Sequence, residues 1–271
     1  VNHRPIMTAA GLRVRSFRWQ EGAAGLDIEA AIADLDAAQE GDVVLLHGCC
    51  HNPTGIDPSI EQWRQFAELC KGRGLVPLVD MAYQGFGDGV EHDAAGLRLL
   101  SNVLDTVLVA ASCSKNMGLY CERTGAAMVI APDAGLLSNI RATLERITRA
   151  NYSMPPEHGA AIASCLFESP QTWLSELEAC RRRVAEIRRD LSDMLLDLRA
   201  PAEYQALRNQ KGMFSLLPLD SHQMNRLREE FGVYGTASGR INIAGLLPSQ
   251  VGRLAEALRS VSRAPKLVGR H

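Results

Sequence analysis

The sequence predicts an α/β fold, a large domain on a mainly parallel sheet followed by a smaller C-terminal α/β domain. Between residues 42 and 130, short β-branched runs alternate with amphipathic helical stretches. Those runs are apolar throughout, as expected of strands covered on both faces. A long stretch with apolar residues every three or four positions then separates this half from a second set of short α/β pieces.

Residues 42–46 read as the first strand, and residues 60–71 as a helix with Trp63, Phe66, Ala67 and Cys70 on one face. Residues 75–80 form the second strand, residues 93–100 a weaker helix, and residues 106–110 and 126–130 two more strands. Leu174, Leu177, Cys180, Val184, Ile187, Leu191, Met194 and Leu198 mark one long helix. Its clusters Arg181 to Arg183 and Arg188 with Arg189 read as a solvated face. Beyond Pro201 come a strand at 213–217, a helix at 222–230, a strand at 240–243 and a helix at 248–261. The large domain is therefore placed at 1–172, and the connecting helix with the small domain at 173–271.

The 271 residues carry 29 basic and 31 acidic side chains, a net charge of −2, so nothing favours nucleic acid or an anionic membrane as partner. No run reaches the roughly eighteen apolar residues of a bilayer span. Seven cysteines without a CxxC pair suggest reduced thiols, a cytoplasmic setting and no metal. No GxGxxG or P-loop follows a strand, which argues against a nucleotide-binding domain.

In a parallel sheet, ligands bind beyond the carboxyl ends of the strands. The first strand runs into His51-Asn52-Pro53-Thr54-Gly55, the second ends at Asp80 with Tyr83 beyond, and the third meets Ser112-Cys113-Ser114-Lys115-Asn116. An acid, a phenol, an amide, hydroxyls and a lysine thus converge on one edge. Lysine is scarce here, only Lys71, Lys115, Lys211 and Lys266. A free lysine, with a pKa near ~10.4, needs desolvation or cationic neighbours to act as a nucleophile. Lys115 follows a buried strand and lies within reach of Arg123. His47, His92 and His222 show no partner pattern and read as structural or exposed, and His158 reads as a helix-entry residue.

With Glu122-Arg123, Arg149-Ala150-Asn151-Tyr152-Ser153 and Ser238-Gly239-Arg240, these blocks resemble the aspartate/aromatic aminotransferases, which are fold-type-I pyridoxal-phosphate enzymes. The blocks occur in order over nearly the whole chain. The resemblance implies transamination of aspartate, glutamate or an aromatic amino acid with a 2-oxo acid. Pyridoxal 5'-phosphate would be the cofactor, held on Lys115 as a Schiff base. Asp80 would pair with the ring nitrogen, Tyr83 and Asn52 with the ring's phenolic oxygen, and Ser112 and Arg123 with the phosphate. Arg240 would grip the substrate α-carboxylate, aided by Asn52. Arg149 would reach the partner subunit's site in a homodimer with shared active sites. Phe214 matches an aromatic near the α-carboxylate, or is a plain core phenylalanine.

The family pattern continues ahead of Val1. On that resemblance His3 supports Asp80 from behind, while a ring-stacking tryptophan and a glycine-containing phosphate loop would lie upstream. The expectation is a fold incomplete at its N-terminus, with a catalytically inactive fragment as the alternative to an active enzyme.

Overall fold

The computed structural model describes residues 2–20 and 25–262. Its main sheet has four strands in the order β1 (Val43–His47), β2 (Val76–Met81), β3 (Val107–Ser112) and β4 (Gly125–Ile130). β1, β2 and β3 are parallel, and β4 returns antiparallel to β3. The register sets His47 opposite Asp80 and Asp80 opposite Ala110, bringing three strand ends to one edge.

The helices are α1 (His3–Ala9), α2 (Ile28–Asp36), α3 (Ile60–Arg73), α4 (Val90–Asp93), α5 (Ala95–Val103), α6 (Ala134–Asn151), α7 (His158–Glu168), α8 (Pro170–Asp197), α9 (Ser221–Phe231) and α10 (Val251–Ser262). In α3, Ser59 and Gln62 form a reciprocal capping box, and Gly74 ends the helix in the left-handed conformation. The predicted stripe of Trp63, Phe66, Ala67 and Cys70 is buried. Trp63 packs over α5 at Gly96, where a Cβ would come within 2.2 Å of the indole.

The helix expected over residues 93–100 is instead broken at Ala94 into α4 and α5. The break follows Asp93, a buried carboxylate that accepts hydrogen bonds from the backbone N–H groups of Gly85, Gly87 and Asp88 at 2.8, 2.9 and 2.7 Å. These bonds fix the loop that leaves β2.

The sheet also departs from the expectation of equal cover on both faces. Val44, Leu46, Val79, Met81, Val107 and Val109 are buried with side chains of α2, α3 and α5, forming a first core. Alternate residues of β1 and β2 are only half-buried or exposed, and Met128 and Ile130 of β4 are exposed. Continuous apolar composition does not distinguish a strand with two buried faces from one with a single tightly packed face.

A second core gathers Val184, Ile187, Leu191 and Leu195 of α8 with Leu227 of α9, Ile241 of β6 (Arg240–Asn242), and Leu254 and Leu258 of α10. Burying each such side chain is worth about 1.5–3 kcal/mol. β6 pairs antiparallel with β5 (Phe214–Leu216). One arginine of the predicted solvated face turns inward. Arg188 is only 2% exposed, because α8 packs against β5 on that side. Burial lowers its pKa from 12.5 to about 10.

Candidate active site

Asp80 closes β2. Its Oδ2 accepts from His3 Nε2 at 2.8 Å and its Oδ1 from the Ala82 N–H at 3.0 Å. Burial opposes ionisation of this carboxyl. The His3 bond and the backbone N–H outweigh it and hold the pKa below the usual carboxylate value.

The loop after β1 is built to present Asn52. Cys50 takes a left-handed φ of 52°, and the Asp57 carboxylate accepts from the Cys50 and His51 N–H groups at 2.7 and 2.8 Å. Thr54 Oγ1 bonds His51 Nδ1 at 2.8 Å and accepts from the Ile56 N–H at 3.1 Å. Asn52 is thereby held at the strand ends. Its amide Nδ2 donates to the Tyr83 hydroxyl at 3.2 Å, and its Oδ1 accepts from Arg240 Nη1 at 3.2 Å. Burial raises the Tyr83 pKa, with the Asn52 bond pulling the other way.

Lys115 stands at the turn between β3 and β4. The Cys113 N–H bonds to Thr124 O at 3.0 Å, the Met117 and Leu119 N–H groups to Cys113 O at 3.3 Å, and Trp173 Nε1 donates to Asn116 O at 2.6 Å. Lys115 Nζ lies 5.0 Å from the Tyr83 ring centroid and 5.9 Å from that of Tyr120. Below it, Ser112 Oγ donates to Ser114 Oγ at 3.0 Å, and Arg123 Nη1 donates to Ser114 Oγ at 3.5 Å and Tyr120 O at 2.9 Å. Among the described residues neither Arg123 nor Arg240 has a carboxylate partner. Arg240 instead lies over the Phe214 ring at 4.8 Å, and Phe214 meets Tyr83 edge-on at 6.3 Å.

His3, Asp80, Asn52, Tyr83, Lys115, Phe214 and Arg240 thus come together, with Ser112 and Arg123 joined through Ser114. Arg149 does not. It is exposed near the end of α6, and its side chain makes no hydrogen bond or ion pair to another described residue.

Residues 1–258 match the family Aminotransferase class I and II. The chain belongs to the class I and II aminotransferases. The aspartate aminotransferase of Salmonella typhi is 45% identical over 264 residues, 96% of this chain and 67% of that protein. The aromatic-amino-acid aminotransferase of Paracoccus denitrificans is 43% identical over the same shares. Among solved structures, the Burkholderia pseudomallei aromatic-amino-acid aminotransferase covalently bound to pyridoxal phosphate superposes with a TM-score of 0.93. It is 38% identical, over 97% of this chain and 67% of that one. The fold is accordingly that of the fold-type-I pyridoxal-phosphate-dependent transferases, and the chain spans about two thirds of its relatives' length.

The sequence reading missed several residues of this aminotransferase site. Ser114 is buried and links Ser112 to Arg123, although its place one residue before Lys115 was a signal. His47 is buried, and what the sequence did not show is its partner. Its Nδ1 accepts from the Asn52 N–H at 3.1 Å, and its ring meets those of His3 at 5.1 Å and His51 at 4.7 Å. Trp19 stacks on His51 at 4.4 Å. Burial lowers the His47 pKa from 6.5 to about 4 and that of His51 to about 3. Parallel pairing of two strand ends, His47 beside Asp80, was the legible clue. His158 opens α7 as expected and pairs with Glu122 at 2.9 Å.

Proposed function

We propose that this chain transfers an amino group between an amino acid and a 2-oxo acid by a ping-pong route, with pyridoxal 5'-phosphate as cofactor. The observation that carries the reading is one cluster at the strand ends with a carboxylate held below its usual pKa, a lysine over two phenol rings, and two arginines without carboxylate partners among the described residues. The donor set fits the cofactor. Asp80 suits a protonated ring nitrogen, Asn52 and Tyr83 suit a phenolate, and Ser112, Ser114 and Arg123 suit a dianionic phosphate.

When bound, the cofactor supplies an electron sink for the electrons left at the substrate Cα. Lys115 would hold it through Nζ, and the free Nζ would carry the proton on and off the substrate Cα. Asp80, kept charged by His3, would hold the ring nitrogen protonated. Asn52 and Tyr83 stabilise the ring oxygen as an anion. Arg240 takes the α-carboxylate as a two-pronged fork, a geometry lysine lacks, while Phe214 flanks its guanidinium.

The substrate class is acidic or aromatic amino acids. Arg149 of each subunit would reach the other subunit's site in a homodimer and select a side-chain carboxylate. Its lack of a side-chain partner among the described residues supports this role, as do the exposed apolar side chains of α6 around it. Among the described residues no helix is long and apolar enough to cross a membrane.

The test is half-transamination. Cofactor-loaded protein mixed with glutamate or aspartate should lose its visible absorbance band and regain it on addition of the matching 2-oxo acid. A band unmoved by any amino acid would sink the proposal.

A further inference from the structure

Arg188 sits on α8 with 2% exposure and has no carboxylate partner among the described residues. A buried cation is costly unless its hydrogen bonds are satisfied. Here each acceptor belongs to one short segment. Nη1 donates to the Ser215 hydroxyl, and Nη2 donates to Gly212 O at 2.6 Å and Phe214 O at 3.3 Å.

That segment is the seam between the two cores. The Lys211 N–H donates to Gly55 O at 2.7 Å, tying the seam to the loop of Asn52. Gly212, at φ +76°, packs so closely that a Cβ there would lie 2.4 Å from the Cβ of Cys50. Phe214 pairs with Asn242 and Leu216 with Arg240 across β5 and β6, so the same segment carries the strand that presents Arg240.

We infer that Arg188 is a positioning residue for carboxylate recognition: by pinning residues 212–215 from behind it fixes Phe214, and through it the guanidinium of Arg240 against Asn52. The inference rests on the reading of Arg240 as the α-carboxylate fork. It extends that reading to a residue that touches no substrate. Arg240 is carried by the strand paired with this segment, whereas Lys115 meets it only indirectly, through the rings of Tyr83 against Phe214 and Tyr120 against Met213. Arg188 therefore governs carboxylate affinity more strongly than cofactor attachment on Lys115.

The experiment compares wild-type, R188K, R188M and S215A proteins, each loaded with pyridoxal phosphate. Binding of 3-phenylpropionate, an unreactive monocarboxylate, is measured by calorimetry, and borohydride-fixed label on Lys115 by mass spectrometry. R188M should weaken 3-phenylpropionate binding roughly tenfold or more, R188K less, and S215A a few-fold, with Lys115 label at the wild-type level. Affinity within twofold of wild type in R188M, or loss of label in step with loss of affinity, overturns the inference. If R188M does not fold, S215A decides, and unchanged affinity there is the overturning result. Wild-type protein that binds the probe but transfers no amino group would fail the proposed function alone.

Discussion

At the scale of single residues, the site is a set of opposed charges and neutral donors whose states are fixed by their surroundings. Asp80 is the anion at its centre. Asp80→Asn keeps the shape and removes the charge, so half-transamination should slow by about two to three orders of magnitude. Stopped-flow absorbance would measure this, and a wild-type rate would show that the ring nitrogen needs no partner here. His47 and His51 set a pH dependence of stability. Both are neutral in the fold, at about 4 and about 3, against 6.5 when free. Between the folded and free values the unfolded chain binds more protons, so stability is complete above pH 6.5 and falls as the pH drops toward 4. The slope is up to about 1.4 kcal/mol per pH unit for each histidine. Urea midpoints at pH 7 and pH 5 should differ accordingly, and His47→Gln should reduce the difference. Lys115, Asp80, Tyr83, Asn52 and Arg240 were legible in the sequence because each ends a strand or sits in a motif. Ser114 and His47 were passed over although the clues were there, because which neighbours they bond depends on how the turn after β3 and the loop after β1 fold back.

At the scale of elements, local rules explain where helices start and tertiary contacts explain where they break. The capping box of α3 predicts that Ser59→Ala lowers stability by about 1 kcal/mol, read from denaturant midpoints, with Lys115 labelling unchanged. Gly96→Val would push into the Trp63 ring and separate α5 from α3, costing about 1–3 kcal/mol by the same measurement. The stripe on α3 could be read from periodicity alone. The division at Ala94 could not, since it depends on Asp93 bonding three N–H groups of a loop before it. Arg188 was misread for a related reason. Periodicity places an arginine on a helix face but does not show that β5 lies against it.

At the scale of the whole molecule, residues 211–215 join the two halves: the Lys211 N–H bonds Gly55 O, Met213 and Phe214 pack against Cys49, Cys50 and Tyr83, and Arg188 of α8 holds the segment from the other side, with Arg240 reaching Asn52 beside it. The fold class followed from alternating strand and helix patterns. The antiparallel return of β4 and the uneven cover of the sheet did not, since both depend on pairing partners. α6 buries none of its residues, and Ile147 is 51% exposed two positions before Arg149. Such a face predicts a dimer in solution. Ile147→Arg should weaken it in sedimentation velocity and reduce selectivity for dicarboxylic over aromatic substrates, whereas an unchanged dimer would place the subunit interface elsewhere. The central claim is that Lys115 carries the cofactor. Loading with pyridoxal phosphate, borohydride reduction and peptide mapping test it most directly: the account predicts label on Lys115 alone, abolished by Lys115→Ala, and label spread over Lys71, Lys211 and Lys266, or persisting in that variant, would contradict it.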